Sequence, residues 1–288
     1  MKFRAVITDT PAMRDFMNIA LSLSKFSKDC IMRITTRKLY FIVSEEESGP
    51  RRPLVWCELP VNFYFKEYHL AGVSDEYNEI YLEVSTVLLA RSLAMLKQTV
   101  KSFKIKLTNK DSPCITIEME LMAGEIISRQ IVHDIPVEVI SRKHWSDYEE
   151  PRFNDFHVSI QMPSLKALKN IVERMKNMSH SLTVSANKYG RLTFQIKTNV
   201  VTLSSHFTDL SVHSFAVGQI STFNDCEDGN SEVVSSTVDI KKFVMFLSGL
   251  QISNCRTLCS IVSGKMVKLF MEQPGALSIQ IFLTELSV

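Results

Sequence analysis

The sequence predicts an α+β fold of two similar halves, each with two helices packed on antiparallel sheet. Three observations predict it. First, the chain repeats itself: Pro11 to Val43 is echoed about 152 positions later by Pro163 to Ile196. Pro11, Met13, Arg14, Phe16, Asn18 and Ile19 match Pro163, Leu165, Lys166, Leu168, Asn170 and Ile171. A second block at nearly the same offset matches Val84, Ser85, Leu89, Leu93 and Leu96 to Val238, Asp239, Phe243, Leu247 and Leu250. A repeat of this kind decides architecture before any single element does. Second, short alternating segments bounded by Gly, Asn, Asp or Ser dominate, which is the pattern of antiparallel meanders and not of a parallel βαβ sheet. Third, only four segments carry a 3.6-residue period, and they occupy matching places in the two halves.

Taken in order, Lys2–Thr8 alternates and opens the first half. A helix follows over residues 11–28, with Pro11 in the first turn, where a missing N–H costs nothing. Strands are expected at Cys30–Ile34, Leu39–Val43, Val55–Leu59 and Glu79–Val84, with an exposed loop at Glu45–Arg52. Ser85 is the expected N-cap of a helix over 85–99. Strands Phe103–Thr108 and Cys114–Leu121 close this half. The second half repeats the plan. Phe156–Met162 leads to a helix over 163–178 opened by Pro163, and strands follow at Leu182–Ala186, Leu192–Thr198 and Val200–Phe207. An acidic polar excursion, Val217–Asn230, reads as disordered. Ser231–Val238 then leads to Asp239, the expected cap of a helix over 239–250, and Thr257–Val262, Met266–Glu272 and Leu277–Leu283 complete the strands. The expected division is a first domain over 1–122, a connector over 123–155 and a second domain over 156–288.

The 288 residues are 45% hydrophobic and 22% charged, enough for two ordinary cores. Met1-Lys2-Phe3-Arg4 runs into strand-like sequence, so no secretory leader is expected, and no apolar run approaches the roughly 18 residues of a membrane span. The six cysteines, Cys30, Cys57, Cys114, Cys226, Cys255 and Cys259, show no CxxC pair and no zinc-finger histidine spacing. They read as free thiols in a reducing compartment, cytosol or nucleus, with no metal site.

The helices carry the chemistry. Projected at 100° per residue, the first buries Met13, Phe16, Ile19, Ala20 and Leu23, leaving Arg14, Asn18 and Lys25 opposite. The second buries Leu89, Ser92, Leu93 and Leu96 and exposes Arg91 and Gln98, with Lys97 and Lys101 on its flank. The third buries Leu165, Leu168, Ile171, Val172 and Met175; Lys166, Asn170 and Glu173 lie opposite, with Lys169 and Lys176 at the edges. The fourth buries Ile240, Phe243, Val244, Leu247 and Leu250, and Lys241 and Lys242 flank Met245 on its far side. Residues 9–28, 85–98, 163–178 and 239–250 hold eleven basic and four acidic side chains, a net of +7 in a chain whose total is +2. The rest of the molecule is therefore acidic, and a basic face on an acidic body suits a polyanion. Without exposed aromatics for base stacking, these faces offer phosphate contacts that carry no sequence code.

Catalytic motifs are missing. There is no Gly-rich phosphate loop, no G-x-S-x-G elbow and no HExxH. His133 and Asp134 are adjacent on an extended segment and so point to opposite faces, against a catalytic dyad. Glu45-Glu46-Glu47 reads as a solvated loop tip, and His206 as a structural strand residue.

Particular residues carry a family resemblance along the whole chain. They are Met1–Ala5, Trp56-Cys57-Glu58-Leu59, Gly72-Val73-Ser74, Asn78–Glu83, Lys104–Lys110, Pro113-Cys114, His133–Val137, Gln161-Met162-Pro163-Ser164, Ile171–Asn177, His206–Leu210, Val238-Asp239-Ile240, Leu258-Cys259 and Lys265-Met266-Val267. In these the chain resembles the PCNA-like sliding clamps and, more closely, the Hus subunits of the heterotrimeric nine-one-one (9-1-1) DNA-damage checkpoint clamp. It departs at the Glu45–Arg52 loop, at the acidic excursion after Val212, and in the tail, where Phe282-Leu283-Thr284-Glu285 lacks the expected proline. The resemblance implies a sliding-clamp fold and one third of a closed ring around double-stranded DNA, non-enzymatic, without cofactor or metal, and with no membrane partner. Its partners would be two other checkpoint-clamp subunits, a clamp loader, DNA through phosphate contacts, and repair and signalling proteins, in the nucleus and, before assembly, the cytoplasm. Arg14, Lys25, Arg91, Lys97, Lys166, Lys169, Lys176, Lys241 and Lys242 would face DNA. Edge strands Cys114–Leu121 and Val200–Phe207 would pair between subunits, through Ile115, Ile117, Met119, Val201, Leu203 and Ser205. The connector would dock partner peptides at His133, Asp134, Ile135 and Pro136. Two alternatives stand beside this reading: a scaffold whose basic face binds acidic protein segments, and a homotrimeric replication clamp.

Overall fold

Two of the four apolar stripes carry a side-chain cap at the first turn, whereas Ser85, the expected cap of the second helix, makes no such bond. In the computed structural model, which describes residues 1–45, 52–94, 100–121, 129–151, 156–215, 233–249 and 255–286, Asp9 caps the first helix by accepting the Ala12 N–H at 2.9 Å. Asp239 caps the last by accepting the Lys241 and Lys242 N–H groups at 2.7 and 3.3 Å. The chain divides into two compact units, built chiefly from Met1–Glu150 and from Pro151–Ser248 with Asn254–Glu272 and Gln280–Val288.

The first unit contains β1 (Lys2–Ile7), α1 (Thr10–Phe26), β2 (Asp29–Ile34), β3 (Lys38–Glu45), β4 (Arg52–Pro60), the single turn α2 (Val61–Tyr64), β5 (Glu67–Ala71), β6 (Ile80–Ser85), α3 (Thr86–Leu93), β7 (Val100–Asn109), β8 (Pro113–Leu121) and β9 (Arg129–Val139), followed by a 3₁₀ segment at Arg142–Tyr148. Its strands run in the order β4-β3-β2-β6-β9-β8-β7-β1-β5. The strand pairs of known register are antiparallel, and that register puts every second side chain on the helix side. Phe16, fully buried on α1, meets Phe41, Phe65 and Phe103 at 5.9, 6.3 and 5.6 Å between ring centroids. Thr86, buried at the start of α3, donates its hydroxyl to Lys28 O at 2.9 Å and its N–H to the same oxygen, tying α3 to the chain leaving α1.

The second unit contains β10 (Val158–Gln161), α4 (Leu165–Lys176), β11 (Ser181–Asn187), β12 (Leu192–Lys197), β13 (Thr202–Phe207), β14 (Val212–Phe215), β15 (Val233–Asp239), α5 (Ile240–Gly249), β16 (Arg256–Val262), β17 (Met266–Gln273) and β18 (Leu277–Thr284). Two antiparallel arrangements result, β13-β12-β11-β15 and β14-β10-β16-β17-β18. Leu168, Val172 and Met175 anchor α4, while Phe243 of α5 packs edge-on to Phe194 at 5.5 Å. Gly190 is forced by both its backbone angle and its surroundings. Gly190 closes the β11–β12 turn at φ 81°, and a Cβ there would lie 2.3 Å from Leu210 O.

Some expectations change. The helix read over 85–99 ends at Leu93, and Lys101 lies in β7 instead of on a helix flank. The stretch read as a connector holds β9, which pairs with β8 over Leu121 to Cys114 and with β6 at Val137 to Val139. The short strands β5 and β14 went unread because charged or polar residues interrupt their alternation. The excursion at Val217–Asn230 and most of the Glu45–Arg52 loop lie outside the described residues.

Candidate nucleic-acid interface

The helix cations sit where the periodicity places them. Arg14 and Lys25 on α1, Arg91 on α3, Lys166 and Lys176 on α4 and Lys241 on α5 are exposed; Lys169 and Lys242 are half-buried. Lys97 lies outside the described residues. Arg174 on α4 is also exposed and was missed; a 100° projection puts it 80° from Lys166, on the arc shared with Asn170, which is the signal that could have found it.

What separates six of these cations from many on the strands is that no ion pair engages them. Among the described residues, Arg14, Arg91, Lys166, Arg174, Lys176 and Lys241 make no ion pair. Lys169 approaches a carboxylate on its own helix, Glu173 at 3.8 Å. On the strands and turns of the first unit many cations are paired instead. Arg4 pairs with Glu67 at 3.1 Å, Lys101 with Glu120 at 3.1 Å, Lys104 with Glu118 at 2.9 Å and Lys110 with Asp134 at 2.6 Å. Lys106 shares Glu118, and Lys38 bonds Glu58. Arg33 grips Glu79 with two nitrogens, at 2.9 and 3.1 Å, and stacks between Tyr40 and Tyr81. The bonds from Lys106 and Lys104 hold the Glu118 carboxyl below the ordinary range, and those from Lys110 and the Thr116 hydroxyl do the same for Asp134. These strand cations are already neutralised, whereas the six helix cations named above carry no ion pair among the described residues.

The interface residues divide. Ile115, Ile117 and Met119 are fully buried, and β8 has β7 on one side and β9 on the other. The reading of Cys114–Leu121 as an edge strand is corrected: the edge belongs to β9, which the connector reading concealed. Among the described residues, Arg129–Pro136 of β9 pairs with β8 alone, and Val132 is 49% exposed. In the second unit β13 pairs with β12 and has no strand on its other side among the described residues. Val201 and Leu203 are exposed there, Ser205 is half-buried, and Val200 at the preceding turn is 89% exposed.

The four docking residues are likewise strand residues. His133 faces Ile117 and Pro136 faces Cys114 in register; Asp134 is bound by Lys110 and Thr116; Ile135 is 2% exposed and belongs to the core. The thiols of Cys30 and Cys259 are pushed up to about 12 by burial, and that of Cys57 is raised for the same reason, so all three are inert at neutral pH. Cys30, Cys57, Cys114, Cys255 and Cys259 are free, and Cys226 lies outside the described residues. No group of three His, Cys, Asp or Glu side chains among the described residues could hold a metal ion, and no described helix is long and apolar enough to cross a membrane.

The family model for Hus1-like proteins matches residues 1–287. The chain belongs to that family. It is 40% identical to human checkpoint protein HUS1 over 288 residues, covering all of both chains. It is 33% identical to checkpoint protein Hus1-like of Drosophila melanogaster over 256 residues, 88% of each chain, and 25% identical to checkpoint protein hus1 of Schizosaccharomyces pombe over 201 residues, 69% of this chain and 66% of that one. Among solved structures, PCNA from Thermococcus kodakaraensis superposes with a TM-score of 0.66 over 98% of this chain and 99% of that one, at 15% identity. That superposition establishes a sliding-clamp fold for a chain of checkpoint-protein sequence.

Proposed function

We propose that this chain is a non-enzymatic subunit of the heterotrimeric 9-1-1 ring, closing with two other checkpoint-clamp subunits around double-stranded DNA. A clamp loader would open the ring, and the loaded ring would recruit repair and signalling factors in the nucleus. Family membership supports the assembly. The observation that carries the DNA role is the set of helix cations without an ion pair, beside first-unit strands on which most cations are paired. Such cations act through phosphates, so binding is independent of sequence and sensitive to salt. The open edges suit ring closure: the Arg129–Pro136 stretch of β9 and strand β13 would each continue into a neighbour's sheet, satisfying backbone groups that otherwise invite aggregation. The free, buried thiols fit a reducing compartment.

The test uses the ring assembled with its two partner subunits. Charge reversal at the repeat-matched pair, Arg14→Glu with Lys166→Glu, is expected to lower the slope of log retention on duplex DNA against log salt by about 0.9 per lost phosphate contact, hence about two units. An unchanged slope assigns the helices another anion. Competition between duplex DNA and an acidic peptide then shows whether a protein segment uses them.

A further inference from the structure

The turn between β11 and β12 is held from several sides. Asn187, 9% exposed, accepts the Tyr189 and Arg191 N–H groups on its side-chain oxygen, each at 3.1 Å. Arg191 O takes the Asn187 N–H at 3.1 Å, and Gly190 O takes the Leu210 N–H at 3.0 Å from the β13–β14 turn. The next residue, Ser211, accepts the Gln161 N–H on its carbonyl at 2.9 Å. Through Leu210 and Ser211 the turn is thus tied to the chain entering α4, whose first turn carries Lys166. Held out on this turn are Lys188, Tyr189 and Arg191, all exposed. Tyr189, at 69%, is the most exposed aromatic side chain among the described residues, and Lys188 Nζ lies over its ring, 5.3 Å from the centroid. Neither Lys188 nor Arg191 makes an ion pair among the described residues, not even with Asp209 on the facing turn.

The repeat shows that the fold does not ask for this tyrosine. The matched turn of the first unit, Thr35–Lys38, uses the same device: Thr35 Oγ1 accepts the Arg37 and Lys38 N–H groups at 3.3 and 3.1 Å. That turn is one residue shorter, has no aromatic side chain, and its Lys38 bonds Glu58. The second unit keeps the device, adds a ring, and leaves the cations on both sides of it without ion pairs. A ring so exposed buries little apolar surface and adds little to stability. We propose that Lys188, Tyr189 and Arg191 form a stacking platform for single-stranded DNA, with one base on the Tyr189 ring and the two cations at the flanking phosphates. The platform takes its ligand class from the DNA role proposed above, and it supplies the π-face that the basic helices lack. An acidic peptide would use the cations and leave the ring idle, while a duplex keeps its bases inside the stack, so the site selects an unpaired strand.

Three labelled DNAs test it on the ring assembled with its two partner subunits: a blunt duplex, the same duplex with a single-stranded thymidine tail, and that duplex with an abasic tail of equal length. Tyr189→Ala is expected to weaken binding of the thymidine-tailed DNA about tenfold, and to leave the blunt and abasic-tailed DNAs bound as by wild type. Tyr189→Phe keeps the ring face and is expected to bind all three like wild type. Lys188→Ala and Arg191→Ala should each lower the salt slope on the thymidine-tailed DNA by about 0.7. Unchanged binding of the thymidine tail by Tyr189→Ala overturns the platform. An equal loss on the abasic tail overturns it too, because no base is there to stack. The helix face is read separately, from the blunt duplex and the Arg14→Glu, Lys166→Glu ring. A lower slope there with no effect of Tyr189→Ala keeps the helix face and removes the platform. A selective loss on the thymidine tail with an unchanged blunt-duplex slope keeps the platform and removes the helix face.

Discussion

Lys104 and Lys166 are both lysines on regular secondary structure, and they do opposite things. Lys104 projects from β7 toward a carboxylate on the next strand, Glu118 at 2.9 Å, while Lys166 on α4 makes no ion pair among the described residues. The difference follows from the element. On a sheet, a cross-strand neighbour stands about 5 Å away and can be matched in charge residue by residue. On an exposed helix face the neighbours are the residues three and four away, and around Lys166 these are Lys169 and Asn170. Lys104 is committed to the fold; Lys166 is not.

Reversing the strand pair breaks this division most visibly. Lys104→Glu with Lys106→Glu would place two carboxylates beside Glu118, whose side chain is only 13% exposed. A loss of about 3 kcal/mol is expected, read as a lower denaturation midpoint, because like charges would share a largely desolvated site. Wherever the double variant still folds and assembles, its retention on DNA should match the wild type. A DNA defect there would erase the distinction between strand and helix cations.

The helix counterpart is smaller in energy and opposite in kind. Lys166→Ala and Arg174→Ala are each expected to weaken DNA retention several-fold and to lower the salt slope by about one unit, while stability stays within about 0.5 kcal/mol of wild type. Arg174 is the sharper probe, because exposure alone argues for it.

Acid titration separates the two classes again. The Glu118 carboxyl is held below its ordinary value by Lys106 and Lys104, so its pairing stabilises the fold fully above the unfolded carboxyl value of about 4.3 and is lost as pH falls through the depressed folded value. Denaturant titrations across that window should show that Glu118→Gln loses less stability on acidification than wild type, by about 1 kcal/mol. Lys166→Ala and Lys176→Ala, which make no ion pair among the described residues, should acidify like wild type.

The helices and their free charges were legible in the sequence because each rests on local information. A stripe every 3.6 residues, a proline or an Asp at the first turn, and the sign of the opposite face lie within one short window. What was not legible is pairing. Arg33 and Glu79 are 46 residues apart, and Lys104 and Glu118 are 14 apart, so nothing in either window announces the partner. The same non-locality misplaced an edge. His133, Asp134 and Pro136 disguise β9 as a connector, and without β9 strand β8 reads as open. Ile115, Ile117 and Met119 were chosen as apolar residues on an edge; they are apolar because they are core.

The finest test lies inside α4, where one residue blurs the comparison. Lys169 sits 3.8 Å from Glu173, and both are partly exposed, so the pair contributes only a few tenths of a kcal/mol to the helix. Toward a polyanion the same carboxylate does two unfavourable things: it occupies Lys169 and it repels phosphates along the arc shared with Lys166 and Asn170. Glu173→Gln keeps the shape and removes both effects. Retention on DNA should rise about twofold at low salt, with the gain fading as salt screens the removed charge. Lys169→Ala should accordingly cost less retention than Lys166→Ala, and in the Glu173→Gln background the two losses should converge. If Glu173→Gln leaves retention unchanged, α4 does not face DNA through this arc, and the cations that do must be sought on α1, α3 and α5.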